Sequence, residues 1–294
     1  MRFSIIMPAY KERAVNKVLE LLLKQSLPEN WKLDKILVIA CGYKEFYFLK
    51  NKKIRILREN KRKGKAYAVN AALKKIRHNT KLDVIIVHNA DVFPKKSMLK
   101  TLLKPFKNDY IGITCVRPVC LDDSKDFVGF LNKLVWDLHH LVSLENPKVG
   151  EVFAFRNIIK KVPKKLAADE AYIEFVTQKR GYKIVYVPNA VVFNRGPRNI
   201  IDFINQRRRF FTGHVHVKNK YRYKVSAMSI IRVTKAFLKY LKVQPINPPK
   251  RILWLMCSMF LEAYIRVLGT IDFYVFRKVP YAWEIIKSSK NNLK

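Results

Sequence analysis

Acid is what this chain lacks most. Its 294 residues include 22 Asp or Glu against 59 Lys or Arg, a formal net charge of +37. So one-sided a balance points to a polyanionic counterpart: nucleic acid, anionic lipid headgroups or phosphorylated small molecules. The excess runs along the whole chain, which excludes a basic tail on a neutral domain. Glycine is scarce too, at nine residues, and no GxxxxGK[ST] string occurs, so a P-loop is excluded. The four cysteines, Cys41, Cys115, Cys120 and Cys257, form no CxxC pair and no metal-finger spacing. They read as reduced core thiols of a cytosolic chain. The first apolar segment at residues 3–7 is expected to be a strand and not a signal peptide, and no recognised nucleic-acid motif is present. What remains is apolar substance: 49% hydrophobic and 12% aromatic residues build a substantial core and exclude disorder. The length suits one large α/β domain with an appendage or two small domains, and abundant Lys and Ile beside little Gly suit a thermophile.

The chain is organised around Val84-Ile85-Ile86-Val87-His88-Asn89-Ala90-Asp91-Val92-Phe93-Pro94. A β-branched apolar run predicts a strand buried on both faces, as in a parallel sheet. It ends at Asn89, with Asp91 two residues on and Pro94 closing the pairing. Ligands of open α/β sheets sit at the carboxyl ends of strands, so Asp91 is placed to meet a ligand or its metal. Further strands are expected at residues 3–7, 36–40 and 54–57, a helix at 14–25, and a second helix opening at Lys63-Gly64-Lys65 and running through Ala72. Lys63 at that helix start is a candidate phosphate cradle. The alternation predicts right-handed crossovers in a mainly parallel sheet.

Beyond it, apolar residues from Phe127 to Val142 line a long helix that carries His139-His140, and residues 149–155 read as a strand. Asp169-Glu170 open a short helix over 171–179, followed by Gly181 and a strand over 183–187. Acids there suit the helix dipole, or supply a base at a site mouth. In Gln206-Arg207-Arg208-Arg209-Phe210 three arginines spread around a helix, so at least one faces inward, where it would meet phosphate or carboxylate. Residues 225–243 form a helix with a basic face (Arg232, Lys235, Lys239, Lys242) opposite Ile230, Ile231, Phe237, Leu238 and Leu241. After the breaker of Pro245 and Pro248-Pro249, residues 252–276 are long and apolar enough to span a bilayer. Glu262, Arg266 and Asp272 interrupt that run, and each would cost about 2.5–3.5 kcal/mol at a bilayer centre. Ser258, Glu262, Arg266 and Thr270 share one stripe, so an interfacial or docked helix is expected over a spanning one.

Taken in order, these pieces resemble the family-2 type inverting glycosyltransferases of the GT-A fold, in an archaeal-like variant, over about residues 3–215. Pro8-Ala9-Tyr10-Lys11-Glu12 is similar to the nucleotide-contacting "PxYNE" turn. Asn60-Lys61-Arg62-Lys63-Gly64-Lys65-Ala66 with Asn70 is similar to "NxGKGxAxN". Asn89-Ala90-Asp91 takes the "DxDxxP" place that holds metal and donor diphosphate. Asp169-Glu170 sits where the family keeps its base, and Gln206-Arg207-Arg208-Arg209-Phe210 resembles "QxxRW". The chain departs from the pattern at Asn89 for the first acid, at Ala40-Cys41 for the base-recognising acids, at Arg62 for a Gly and at Phe210 for Trp.

The resemblance implies a GT-A, Rossmann-like, mainly parallel sheet over 1–220 and a basic, amphipathic, membrane-associating helical region over 221–294. It implies metal-dependent transfer, with inversion, of a sugar from a nucleotide-diphosphate donor to a hydroxyl or lipid-phosphate acceptor. The donor would meet Pro8, Ala9, Tyr10, Glu12, Cys41, Lys63, Asn89, Ala90 and Asp91. Mg²⁺ or Mn²⁺ would sit on Asp91, and the diphosphate or acceptor on Gln206, Arg208, Arg209 and Phe210. Glu170 or Asp169 would be the base: spacing favours the first, residue type the second. The expected partners are the nucleotide-sugar donor, a lipid-linked or saccharide acceptor and an anionic membrane, with no nucleic acid. The expected place is the cytoplasmic face of the cell membrane, peripherally bound. A nucleotidyltransferase of related fold, a catalytically inactive relative and a basic nucleic-acid-binding protein are the alternatives.

Overall fold

A computed structural model describes the whole chain except residues 44–45, 77–78, 80, 123, 244–248, 283–285, 287 and 289–294. The breaker expected at Pro245 and Pro248 lies outside the described residues.

Buried apolar runs set the first half of the sheet. In β1 (Arg2–Tyr10), β2 (Lys32–Cys41) and β4 (Val84–His88), buried apolar stretches lie between two helical layers, and β3 (Ile54–Glu59) pairs at the sheet edge with Ile54, Ile56 and Leu57 half-buried. Val84 to Val87 are wholly shielded from solvent. Each such side chain contributes about 1.5–3 kcal/mol, as an upper bound. Helices α1 (Val15–Leu23) and α3 (Met98–Leu103) cover one face through Val15, Val18, Leu19, Leu99 and Leu102. On the other face α2 (Lys65–Ile76) and α5 (Asp169–Lys179) pack Val69, Ala72, Ala171 and Ile173.

The remaining strands are β5 (Phe93–Pro94), β6 (Ile111–Cys120), β7 (Val152–Arg156) and β8 (Lys183–Asn194). The sheet order is β3-β2-β1-β4-β7-β6-β8-β5. Strands β3, β2, β1 and β4 are parallel, as are β6 and β8. Strand β7 runs antiparallel between β4 and β6, and β5 antiparallel to β8. The mainly parallel sheet holds, with two reversed members. One of these matters: pairing β7 backwards against β4 brings the residues just before Val152 to the carboxyl end of β4.

Several expectations shift. Strand β1 does not stop at Met7 but continues through Pro8 to Tyr10. Its pairing with β4 ends at Ile6, and the free side beyond accommodates a residue without an N–H. The strand expected from Val149 starts at Val152, which leaves Lys148 to Glu151 as a loop. Cys257 is exposed rather than a core thiol.

Helices α4 (Phe127–Glu145), α6 (Ile200–Tyr221), α7 (Ile230–Val243) and α8 (Pro249–Tyr274) form a second body beside the sheet. Asp126 caps α4 by accepting from the Gly129 amide at 2.7 Å, and Asn199 caps α6 through the Asp202 amide at 2.8 Å. Phe130, Leu134 and Leu255 bind α4 to α7 and α8, with Phe237, Leu241 and Trp254 against them. Gly269 lets α8 approach α6: an added Cβ would lie 2.7 Å from the Phe211 ring and 3.3 Å from the Arg208 carbonyl. Helix α8 is inverted in polarity. Its stripe of Ser258, Glu262 and Arg266 turns inward, whereas Leu253, Met256, Phe260, Tyr264 and Val267 are more than half exposed. By length and composition it is long and apolar enough to cross a membrane.

Candidate active site

The carboxyl ends of β1, β2 and β4 open into one cavity of about 710 Å³. Pro8, Ala9 and Tyr10 end β1 and Glu12 follows it, Cys41 ends β2, and Asn89, Ala90 and Asp91 follow β4; all line it. Two left-handed positions turn the chain here, Lys11 (φ 48°) and Gly42 (φ 77°), with the Lys11 amide donating to the Cys41 carbonyl at 3.2 Å. Glu12 is nearly buried, and its Oε1 accepts from the Ala14 amide at 3.2 Å. The Tyr43 hydroxyl fixes the same turn by accepting from the Glu12 amide at 2.8 Å. Arg62 lies 4.0 Å over the Tyr10 ring, a cation–π contact that places the residue standing for the family's Gly against an aromatic wall of the cleft.

Asn89 does not stand alone. Its Nδ2 donates to Glu151 at 2.5 Å, across 62 residues of sequence, because β7 runs back along β4. The first acid of the expected DxD string is missing at 89, and a carboxylate arrives there from the loop before β7. Burial pushes the Glu151 carboxyl above its ordinary range, and the charge of Asp91 pushes it further. Two carboxylates are thus held close enough to repel.

Asp169 and Glu170 start α5 but face different partners. Asp169 is 1% exposed and pairs with Lys65 at 3.8 Å. Glu170 lines the cavity, with His214 Nε2 at 4.0 Å. Burial raises the Glu170 pKa to about 8, with Asp169 adding to the rise and Lys65 opposing it. Burial works against the Lys65 ammonium, yet Asp169, Glu170, Glu151 and Asp91 together hold its pKa above the ordinary lysine value. Lys65, the first residue of α2, lines the cavity, whereas Lys63 does not. Gly64 (φ 98°) packs so tightly under the Tyr281 carbonyl that an added Cβ would come within 2.2 Å of it.

The arginines of α6 part company. Arg207 lines the cavity and pairs with Glu262 of α8 at 3.2 Å. Arg208 is outside the lining: its guanidinium grips Asp272 of α8 through both Nε and Nη2. The inward partner expected for an arginine is therefore a carboxylate of the chain itself. Gln206, Arg209 and Phe210 line the cavity.

Residues 4–161 match the sequence profile of the family described as Glycosyl transferase family 2, more than half of the chain. The chain belongs to that family. This glycosyltransferase also shares its fold with a solved structure. The mannosyltransferase PcManGT from Pyrobaculum calidifontis, in complex with GDP-Man and Mn²⁺, superposes with a TM-score of 0.58 at 16% identity, covering 94% of this chain and 88% of that one. GalNAc-T7 with UDP, GalNAc and Mn²⁺ gives 0.49 at 16% identity, over 66% of this chain and 44% of that one. A search of curated proteins finds no match. The GT-A fold expected from the sequence is the fold found, and family membership sets aside the nucleotidyltransferase reading.

Among the described residues of the glycosyltransferase, no group of three or more His, Cys, Asp and Glu is arranged to hold a metal ion. The carboxylates that could hold one together with substrate phosphates are Asp91 and Glu151. Magnesium-like ions are bound through one or two carboxylates plus substrate phosphates, so two oxygen donors beside an open cleft fit the group the family uses. The repulsion between Asp91 and Glu151 is what a cation relieves. Sequence patterns missed Glu151, Lys65 and Lys148. The signal was faint: a Lys-Val-Gly-Glu string just ahead of a buried strand, whose place becomes meaningful only when that strand pairs backwards with β4.

Proposed function

We propose that the chain transfers a sugar, with inversion at the anomeric carbon, from a nucleotide-diphosphate sugar to a hydroxyl or lipid-phosphate acceptor at the cytoplasmic membrane face. It would thereby serve glycolipid or polysaccharide synthesis. The observation that carries this reading is the convergence of Asp91, Glu151, Lys65 and Glu170 on one cavity at the carboxyl ends of parallel strands. Asp91 and Glu151 hold the divalent ion, Mg²⁺ or Mn²⁺, which when bound offsets charge on the leaving diphosphate. Lys65, in place of the expected Lys63, adds an ammonium beside the same carboxylates, and Arg209 a guanidinium from α6. Arg208 acts from behind, tying α6 to α8. Tyr10, with Arg62 across its ring, offers a stacking surface for the nucleobase beside Cys41.

Glu170 is the base in this reading, since it faces the cavity while Asp169 is buried against Lys65. It takes the proton of an acceptor hydroxyl, or the last proton of a phosphate monoester. A base with a raised pKa is well matched to that task near neutral pH. Residues 221–294 serve as the membrane-associating region. Helix α8 presents its apolar face outward, and α7 carries Arg232, Lys235 and Lys242 for anionic headgroups, so the helix pair lies on the membrane through this side.

A panel of UDP-, GDP- and dTDP-sugars with Mn²⁺ or Mg²⁺, followed by NMR of the product, tests the reaction. Metal-dependent release of nucleoside diphosphate from one donor, with the product's anomeric configuration inverted, is the expected result. Retention of configuration, or release indifferent to chelation, would refute it.

A further inference from the structure

The two ends of the cavity differ in chemistry. Beyond the carboxylates it continues between α4, α7 and α8, where Leu131, Leu134, Leu138, Phe237, Met259 and Leu261 line it. Met259 and Ile230 line this part and are at the same time 58% and 72% exposed. The apolar chamber therefore opens where α7 and α8 show apolar side chains to the outside.

Between the chamber and Glu170 stands a knot of basic groups. Lys148, Arg207, His139 and His214 all line the cavity. His139 is 8% exposed, packs its ring at 5.4 Å against Trp136, and has no hydrogen-bond partner at either nitrogen. Arg207 Nε likewise has no partner. Burial, then the charges of Lys148 and Arg207, hold both His139 and His214 below the ordinary histidine range. Lys148 is lowered by burial and then by Arg207, with Glu174, Glu170 and Glu151 offsetting part of it. These groups destabilise one another, and Glu262, which already serves Arg207 and Arg266, is the carboxylate in contact with the knot from α8. Buried nitrogens without a partner on His139 and on Arg207 Nε, beside the Lys148 ammonium, describe an anion subsite inside the cavity.

We propose that the acceptor is a long-chain lipid monophosphate, its phosphate held by Lys148, Arg207 and His139 beside Glu170 and its hydrocarbon tail lodged in the chamber between α4, α7 and α8. This rests on the glycosyltransferase reading and narrows it. A saccharide would leave the chamber unfilled, and a lipid alcohol would offer no anion to Lys148 and to the unpartnered nitrogens of His139 and Arg207. The phosphate oxygen attacks the anomeric carbon, the bond from that carbon to the diphosphate oxygen breaks, and its electron pair leaves with the nucleoside diphosphate. The products are a lipid-phosphate sugar and the nucleoside diphosphate.

The test uses the full chain in phospholipid vesicles with the donor found to release nucleoside diphosphate on its own. Four acceptors are compared: a long polyprenyl monophosphate, the matching polyprenol, a short water-soluble alkyl phosphate and an oligosaccharide. Transfer to the polyprenyl monophosphate is expected at least about tenfold above each of the others. Lys148→Gln should raise the acceptor KM roughly tenfold with a smaller effect on kcat, as for loss of a charge-assisted hydrogen bond. Thr234→Trp, at an exposed position of the chamber rim, should impair the long-chain acceptor and spare the short one. Equal transfer to polyprenol would overturn the phosphate subsite, and equal transfer to the short phosphate would overturn the chamber. Preference for the oligosaccharide would overturn both while leaving the glycosyltransferase reading intact. Donor turnover absent with every nucleotide would instead remove the reading on which the proposal rests.

Discussion

Asn89 and Glu151 show how a string can lose a carboxylate and have one returned from elsewhere in the fold. Their hydrogen bond lets the chain hold Glu151 next to Asp91 without a third carboxylate. Asn89→Asp would restore the string but set two acids in hydrogen-bond contact. It should cost about 1–3 kcal/mol of stability in metal-free protein at neutral pH, part of which added Mn²⁺ restores; thermal melting with and without the ion reads both. Glu170 carries a second consequence. Its folded-state pKa is raised, so between the ordinary carboxylate value and about 8 the folded chain binds more protons than the unfolded one. Stability from this group is therefore present at low pH and lost as pH rises through that window. Glu170→Gln has no such loss. Its melting temperature should gain on that of the unsubstituted protein as pH goes from about 5 to about 9, ending several degrees above it, while turnover falls. A constant difference across that range would show the carboxyl to be unperturbed.

At the scale of elements, the site depends on α6 being held between the sheet and α8. Arg208–Asp272 and the Arg207–Glu262–Arg266 chain tie the two helices together, and Gly269 permits their approach. Asp272→Asn leaves a partly buried guanidinium short of its carboxylate and should cost about 1–2 kcal/mol. Gly269→Leu should cost about 1–3 kcal/mol by overpacking. Limited proteolysis should then release α8 sooner in both variants, with the acceptor KM rising more than the donor KM. Strands β1, β2 and β4 were legible in the sequence because each holds a buried apolar run with a turn at its end, and β3 because Ile54, Ile56 and Leu57 precede the basic loop. Strand β6 was not, because Ile111–Cys120 carries a glycine, a proline and two cysteines and lacks alternation. Asp91, Glu170 and the α6 arginines could be placed by local spacing. Glu151, Lys65 and Lys148 could not, since their roles arise from pairings made across the fold: β7 against β4, and α2 against α5. Spacing also could not tell that Arg208 turns away to Asp272.

For the whole molecule, the proposed membrane association draws on the net charge of +37 and the outward apolar face of α8. Binding to vesicles should rise steeply with anionic lipid content and weaken as salt screens the basic surface. A salt-resistant remainder should vanish when Phe260 and Val267 are both replaced by Ser. Sedimentation with vesicles of defined composition measures each part. Equal binding to zwitterionic and anionic vesicles would argue that the charge serves another purpose. The central claim, however, concerns the cleft. The most direct test is nucleoside diphosphate release from the preferred donor, measured over a Mn²⁺ titration for the unsubstituted chain, Asp91→Asn and Glu151→Gln. The expected result is release that requires the ion, falls by at least about 100-fold in Asp91→Asn, and needs more Mn²⁺ in Glu151→Gln. Release that persists in Asp91→Asn with an unchanged requirement for Mn²⁺ would contradict the account.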